Sequence, residues 1–183
     1  RPAAAMDDDH QRPGRVPARR IGIERERLTV HHAVDDATER APIRAGWDVQ
    51  AQSHSGFAWD LAGDDEAQLL AIPRKQRAEV RKGLEQALEV SVGTGEADRA
   101  AHYAVYAESV RNLGTPVFPR ALFDAVLDIF GDDADILTVS HRGVPVSSVL
   151  SLYHRGAVMP YWGGGVWAAR RLRANDRMYY ELM

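Results

Sequence analysis

Three apolar runs joined by two short glycine-containing turns limit most strongly what this chain can fold into. The runs cover residues 136–140, 144–153 and 157–162. The turns between them are His141-Arg142-Gly143 and His154-Arg155-Gly156. Turns of this length and composition join neighbouring antiparallel strands. The sequence therefore predicts a three-stranded antiparallel meander near the C-terminal end of the chain.

Helical periodicity surrounds this meander on both sides. Pro73 interrupts an apolar pattern that runs from Asp64 to about Glu89, so a kinked helix or two shorter helices are expected there. The other predicted elements are a strand at 88–92, a helix at 98–113 ended by Gly114, a helix from Phe118-Pro119 to Gly131, and a helix at 173–183. This order predicts an α+β fold in which helices cover a mostly antiparallel sheet.

Apolar spacing also predicts which helical side chains face the core. The expected buried residues are Tyr103, Tyr106, Val110 and Leu113 in one helix, Leu122, Phe123, Val126, Leu127 and Phe130 in the next, and Met178, Leu182 and one of the two tyrosines in the last.

The first 60 residues have a different composition. They contain nine Arg, no Lys and four of the seven His, and their only aromatic residues are Trp47, Phe57 and Trp59. Short apolar stretches at 20–23 and 28–30 are candidates for brief strands. Such a segment has too few large apolar side chains to offset the entropy of ordering it. We expect an irregular segment over 1–62 and a folded domain over 63–183.

Composition excludes several classes of protein. The 183 residues contain no Cys, which excludes disulfides, thiol catalysis and Cys-ligated metals. A formal net charge of −3 argues against a general nucleic-acid coat. No apolar window has the length of a membrane span, and the N-terminus lacks an apolar signal core. We therefore expect an intracellular protein without a transmembrane segment.

A basic cluster stands out between residues 74 and 82. It contains the only two lysines of the chain and consists of Arg74, Lys75, Arg77, Arg81 and Lys82. On a helix, Arg74, Arg77 and Arg81 share one face, where guanidinium groups suit a phosphate, a pyrophosphate or an RNA backbone. The other interpretation, a solvated helix face supported by Glu79 and Glu85, is favoured by charge alone.

Tyr161-Trp162-Gly163-Gly164-Gly165 is the second notable stretch. Three glycines let a ligand approach the backbone closely, but a plain loop or bulge has the same composition. The stretch is neither a P-loop nor a dinucleotide fingerprint. No pair of histidines has the spacing of a zinc protease, and no Gly-x-Ser-x-Gly elbow is present. We therefore predict no metal site and no hydrolase chemistry.

Five groups of residues in this order resemble one family. They are 72–83 (IPRKQRAEVRKG), 112–119 (NLGTPVFP), 130–131 with 136–137 (FG and IL), 160–164 (PYWGG) and 174–183 (ANDRMYYELM). Together they are similar to the Fem-type (FemAB-like) transferases of the GNAT superfold, and most closely to the branch associated with exosortase/PEP-CTERM exopolysaccharide systems.

The resemblance implies transfer of an acyl or aminoacyl group to an amine, with no bound cofactor. The implied donor is an aminoacyl-tRNA or an acyl-CoA, and the implied acceptor is an amine-bearing cell-envelope or polysaccharide precursor. The basic cluster would then bind phosphates of the donor or acceptor. Tyr161, Trp162 and Gly163 would border the acceptor cleft, with Asn175 and Tyr179 on the helix beside it. No residue is identified as the general base, and the implied location is cytoplasmic and membrane-proximal.

The sequence departs from the family pattern in two respects. The Arg/Gln-x-x-Gly-x-Gly/Ala loop that binds the pyrophosphate of acetyl-CoA in ordinary GNAT enzymes is absent. Family members also continue beyond the Asn-Asp-x-Met-Tyr helix into a Phe-Asp-Phe-Gly-like strand and a final strand pair, so the sheet is expected to be incomplete at its C-terminal edge. The break in composition near Leu61 further suggests a shifted reading frame over the first 60 residues.

Two alternative functions remain open at this point. One is a non-catalytic binding module that docks RNA or a phosphate-bearing partner through the basic helix. The other is acetyl transfer from acetyl-CoA without the usual loop.

Overall fold

The structure is a computed structural model that describes residues 59–61 and 63–183. Its helices and strands, in chain order, are α1 (Asp65–Ala71), α2 (Arg74–Leu84), β1 (Leu88–Gly93), α3 (Glu96–Asn112), α4 (Arg120–Phe130), β2 (Ala134–His141), β3 (Val144–His154), β4 (Ala157–Gly165), α5 (Trp167–Leu172) and α6 (Ala174–Leu182). The brief strands predicted at 20–23 and 28–30, and the irregular character of 1–62, lie outside the described residues, apart from 59–61.

The four strands form one antiparallel sheet in the order β1-β2-β3-β4. The predicted meander is confirmed. Its two hairpin turns place Arg142 and Gly143 at φ 54° and 74°, and Arg155 and Gly156 at φ 46° and 78°. Positive φ at both central residues matches the twist of tight hairpins, and glycine adopts it without steric cost.

Local signals set the helix boundaries. The Asp64 carboxylate caps α1 by accepting a hydrogen bond of 2.8 Å from the Ala67 N–H. Pro73 then separates α1 from α2, which confirms the expected break. Gly114, at φ 73°, follows the end of α3, and Gly131, at φ 53°, follows α4.

Helices cover both faces of the sheet, and each face has its own apolar core. On one face, α3 and α4 pack over Ile136 and Leu150, with Tyr106, Phe123 and Leu127 in the same cluster. On the other face, α5 and α6 pack over Leu137 and Val149, and bury Ala169, Leu172 and Met178. The expected α+β arrangement is confirmed.

A buried polar cluster interrupts the core beneath α3. His102 and Ser148 are fully buried, and Thr138 is nearly so. The Ser148 hydroxyl lies 3.1 Å from Nδ1 of His102 and 3.1 Å from the Thr138 hydroxyl. His102 Nε2 has no hydrogen-bond partner within the described part of the chain. Burial lowers the pKa of His102 to about 4, so the ring is neutral at pH 7.

Some predictions at the level of elements are wrong. Leu113 and Phe130, which were expected in the core, are 72% and 46% exposed because each lies in the last turn of its helix or just beyond it. The third strand of the meander was predicted to end at residue 162, but β4 continues through the glycines to Gly165. Helix α5 was not predicted at all. The helix predicted at 173–183 is confirmed as α6, Ala174–Leu182.

Candidate functional site

The last three residues of β4, Gly163 to Gly165, provide a strip of strand without side chains. Successive strand residues face opposite sides of a sheet. A Cβ at Gly164 would collide with Ser109 on the α3 side, whereas a Cβ at Gly165 would collide with Asn175 on the α6 side. A Cβ at Gly163 would also lie on the α6 side, 3.3 Å from the Tyr179 hydroxyl. Glycine is therefore required for the close approach of these helices.

Asn175 and Tyr179 lie one turn apart on α6 and face this strip. The Asn175 amide oxygen accepts a hydrogen bond of 2.6 Å from the Ser147 hydroxyl. The Ser147 hydroxyl also lies 3.1 Å from the Gly164 carbonyl oxygen, so this buried serine connects α6 to β4. With its oxygen held inward, the exposed Asn175 amide is left with its NH₂ group free to donate to a ligand.

The Tyr179 side chain is partly exposed, and its hydroxyl lies close to Gly163. Burial of the hydroxyl raises the pKa of Tyr179 above its ordinary value of 10. The phenol is therefore protonated at neutral pH and can act as a hydrogen-bond donor. The structure thus brings together three of the predicted site residues, namely Gly163, Asn175 and Tyr179.

Trp162 lies on the opposite face of the sheet. Its indole packs edge-on against Phe123 with 5.4 Å between ring centroids, within the core under α4. The pairing of β3 with β4 shifts between Leu150 and Ser151, because Trp162 pairs with Leu150 and Pro160 pairs with Ser151. Tyr161 is the extra residue of this bulge and is 62% exposed. Trp162 is therefore not beside Asn175 and Tyr179, and Tyr161 lies at the border of the sheet.

The predicted basic helix is α2, and its cations differ in how free they are. Arg74, Lys75 and Arg81 are exposed and form no ion pair with any other described residue. Arg77 is half-buried and donates a hydrogen bond of 3.2 Å to the Ile72 carbonyl oxygen. Lys82 forms an ion pair of 2.8 Å with Glu79. The free cations are thus Arg74, Lys75 and Arg81.

Helix α2 packs directly against α6. Gln76 donates a hydrogen bond to Asp176, and Glu79 pairs with Arg173 at 2.7 Å. Partial burial raises the pKa of the Asp176 carboxyl. Gly83 permits the contact, because a Cβ there would lie 2.8 Å from the Arg173 carbonyl oxygen. The basic helix, α6 and the bare end of β4 therefore form one continuous surface on the same side of the sheet.

Ser147 is the site residue that the sequence analysis missed. A weak signal was present, since Ser147 and Ser148 are adjacent polar residues in a mainly apolar strand. Each hydroxyl is satisfied on a different face, Ser147 by Asn175 and Ser148 by His102 and Thr138. In the part of the chain that the structure covers, no group of three or more His, Asp or Glu side chains could hold a metal ion.

The order β1, two helices, β2-β3-β4 and then a further pair of helices, with helices on both faces of the sheet, defines a GNAT-type α+β fold. Residues 74–183 match the family model described as "Acetyltransferase (GNAT) domain". Because this match covers more than half of the sequence, the chain belongs to the GNAT acetyltransferase-domain family.

Among solved structures, the chain is similar to the one titled "Crystal structure of FemX". The TM-score is 0.61 and the sequence identity is 12%, over 66% of this chain and 46% of that chain. At this identity the likeness concerns the fold, and it agrees with the predicted Fem-type GNAT fold. The chain spans less than half the length of the FemX chain. No protein of curated function matches the sequence significantly. Among the described residues, no helix combines the length and the apolar composition needed to cross a membrane.

Proposed function

We propose that the protein transfers an acyl or aminoacyl group to the amine of a cell-envelope or exopolysaccharide precursor. The observation that carries this proposal is the convergence of the Asn175 amide and the Tyr179 hydroxyl over the bare backbone of Gly163–Gly165, in a chain of the GNAT family. The donor is an aminoacyl-tRNA or an acyl-CoA.

The geometry suits attack of an amine on an acyl carbonyl. As the new C–N bond forms, the carbonyl oxygen becomes an oxyanion, which hydrogen-bond donors at fixed positions stabilise. The Asn175 NH₂ group and the protonated Tyr179 hydroxyl are two such donors. The strand glycines let α6 approach the backbone of β4 closely, which places both donors beside the strand. The proton of the attacking amine passes to a base that we do not assign. Collapse of the tetrahedral intermediate then breaks the bond between the acyl carbon and the donor, and the leaving group, the ribose oxygen of tRNA or the thiolate of CoA, takes up a proton.

Phosphates of the donor or acceptor would lie along α2. Arg74, Lys75 and Arg81 are free to bind them, because no carboxylate of the described residues is paired with these cations. Arg77 and Lys82 would then act at the border of the phosphate site. The hydrogen bond between Gln76 and Asp176 fixes the distance between the phosphate-binding helix and α6, which carries the two proposed donors.

The finer assignments rest on the sequence resemblance. The exosortase-associated branch, the cytoplasmic and membrane-proximal location and the placement of Tyr161 at the acceptor cleft are therefore part of the proposal. The exposure of Tyr161 at the bulge of β4 supports its proposed place at the acceptor cleft. Trp162 contributes by packing on Phe123 and holding that bulge in place.

Transfer assays with the 183-residue protein test the proposal. Radiolabelled aminoacyl-tRNA and acyl-CoA serve as alternative donors, and amino sugars and lysine-containing peptides serve as acceptors. Loss of one oxyanion donor typically lowers kcat by about 10²–10³-fold, so Asn175→Ala and Tyr179→Phe should each show a loss of that order. Tyr180→Phe is the matched control, because Tyr180 lies on the same helix and its hydroxyl donates to the Asp65 carbonyl oxygen. Wild-type activity in Tyr179→Phe and Asn175→Ala would contradict the assignment.

One observation favours a second candidate, a binding module without catalysis. Three unpaired cations on one helix provide a phosphate-binding surface whether or not chemistry follows. In that case the protein binds RNA through α2, and substitutions at Asn175 and Tyr179 leave the affinity unchanged.

A further inference from the structure

A groove of about 850 Å³ opens between α3, the start of β3 and α5. This volume lies within the range of about 300–1,000 Å³ that is typical of small-molecule sites. None of its lining residues belongs to the candidate site described above. Ala101, Ala104 and Val105 of α3 form its floor, and Val144 and Trp167 form its walls.

The groove exposes apolar surface of a kind that proteins usually cover. Val144 is 61% exposed and Trp167 is 67% exposed, although both side chains are large and apolar. The methyl side chains of Ala101 and Ala104 leave space between these walls and the helix. Adjacent apolar walls of this kind mark a binding surface more often than isolated exposed residues do.

Several backbone groups of the lining already have hydrogen-bond partners. The Trp167 N–H donates to a Glu108 carboxylate oxygen at 3.1 Å, and the Val166 N–H donates to the Val146 carbonyl oxygen at 3.0 Å. Pro145 has no N–H, and Val144 is paired with His141 in the sheet. A peptide would lose hydrogen bonds to water here and find few replacements, whereas a hydrocarbon chain has none to lose.

Two cations stand at the edge of the groove. The Arg170 guanidinium lies 4.3 Å from the centre of the Trp167 ring, and Arg171 lines the groove beside it. Neither forms an ion pair within the part of the chain that the structure describes. The nearby Glu108 carboxylate is engaged with the Trp167 N–H. A phosphate monoester, with a charge of about −1.5 to −2, matches two guanidinium groups better than a single carboxylate does.

We propose that this groove binds one molecule of a single-chain lipid with a phosphate monoester head. The hydrocarbon chain of the lipid lies over Ala101 and Ala104 between Val144 and Trp167. Its phosphate is bound by Arg170 and Arg171. The binding step involves no covalent chemistry and is independent of the proposed transfer reaction.

Isothermal titration of the full chain with dodecyl phosphate, below its critical micelle concentration, tests the proposal. We expect saturable binding of one molecule per chain. Ala104→Leu fills the groove and should weaken binding by at least about tenfold, which corresponds to the loss of about two buried methylene groups. The double substitution of Arg170→Gln with Arg171→Gln should weaken binding by about tenfold or more, because charge-assisted hydrogen bonds are lost.

Two matched variants control for non-specific effects. Ala125 is an exposed alanine of α4 and Arg111 is an exposed arginine at the end of α3, and neither lines the groove. Ala125→Leu and Arg111→Gln should therefore bind like the wild type. If Ala104→Leu fails to fold by circular dichroism, Ala104→Gln tests the same position with a polar chain.

Several results would overturn the proposal. Absence of saturable binding, equal binding by all variants, or equally tight binding of dodecyl maltoside would each do so. Tighter binding of dodecanoate would refute the phosphate head. Binding to phosphatidylglycerol vesicles that depends on Arg170 and Arg171 but not on Ala104 would instead identify a membrane-facing surface, and the groove would not be a lipid site.

Discussion

At the scale of single residues, His102 is a described residue whose surroundings change its protonation between pH 4 and 7. It is fully buried between α3 and the sheet, and burial lowers its pKa from 6.5 to about 4. In the unfolded chain the same imidazole binds a proton below about pH 6.5. The unfolded state therefore gains protons first as pH falls, and the folded state is destabilised between about pH 6.5 and 4.

This linkage predicts that the free energy of unfolding decreases by about 3 kcal/mol between pH 7 and pH 4 through His102 alone. Urea denaturation at a series of pH values measures it. In His102→Gln the side chain keeps hydrogen-bonding groups near Ser148 but does not titrate, so most of this decrease should disappear. An unchanged pH dependence in His102→Gln would assign the decrease to other groups.

Gly165 provides a second prediction at this scale. A Cβ there would collide with the Asn175 amide oxygen and approach the Ala169 Cβ at 2.8 Å. Gly165→Ala should therefore destabilise the protein by about 1–3 kcal/mol, the usual cost of overpacking. A double-mutant cycle with Asn175→Ala, followed by urea denaturation, measures the coupling. The double variant should be more stable than the sum of the two single effects predicts, whereas simple additivity would show that the two residues are not in contact.

At the scale of elements, sequence patterns predicted the strands and the longer helices, because their periods extend over enough residues. The paired glycine turns and Pro73 then set the boundaries. Helix α5 escaped prediction because six residues with two consecutive arginines form too short a pattern. Leu113 and Phe130 were wrongly placed in the core, because apolar spacing does not show which part of a helix lies over the sheet.

The candidate site was partly predictable for the same kind of reason. Asn175 and Tyr179 were identified through a resemblance, and their spacing of four residues already placed them on one helix face. The bulge at Tyr161 determines which residues of β4 face Asn175 and Tyr179. A bulge of this kind cannot be predicted from residue type. Trp162 was grouped with them for that reason, and Ser147 was missed.

The contact of α2 with α6 predicts whether Gly83→Ala stabilises or destabilises the protein. Replacing glycine by alanine inside an exposed helix usually stabilises it by about 1 kcal/mol. At Gly83 the new methyl group would lie 2.8 Å from the Arg173 carbonyl oxygen, which belongs to rigid backbone. Gly83→Ala should therefore destabilise the protein by about 1–3 kcal/mol in urea denaturation. Ala78→Leu, at an exposed position of the same helix, should have little effect. Stabilisation by Gly83→Ala would show that the two helices are not in close contact.

At the scale of the whole molecule, the net charge is negative although the exposed surface of α2 is positively charged. The formal net charge is −3, yet Arg74, Lys75 and Arg81 form an unpaired basic surface on α2. Attraction between distant charges is screened over about 10 Å at 0.1 M salt, so a polyanion close to α2 responds to these cations more than to the overall charge. Binding of tRNA is therefore compatible with the acidic composition.

The dependence of tRNA affinity on salt is the measurement that separates the two candidate functions. If α2 binds the phosphates of tRNA, log Kd should rise with log salt concentration by about 0.7–0.9 for each cation in contact. The triple substitution of Arg74→Gln, Lys75→Gln and Arg81→Gln should then reduce this slope by about 2–3. Arg111→Gln removes an exposed cation from α3 and should leave the slope unchanged. Fluorescence anisotropy with labelled tRNA between 50 and 200 mM salt provides the slopes.

The outcomes separate the two functions. If tRNA binds with the full slope but its aminoacyl ester is not attacked, and Tyr179→Phe has no effect with any donor, α2 belongs to a binding module. If the slope is the same in the triple variant, α2 does not contact tRNA, and acyl-CoA becomes the donor to test at the surface formed by β4 and α6.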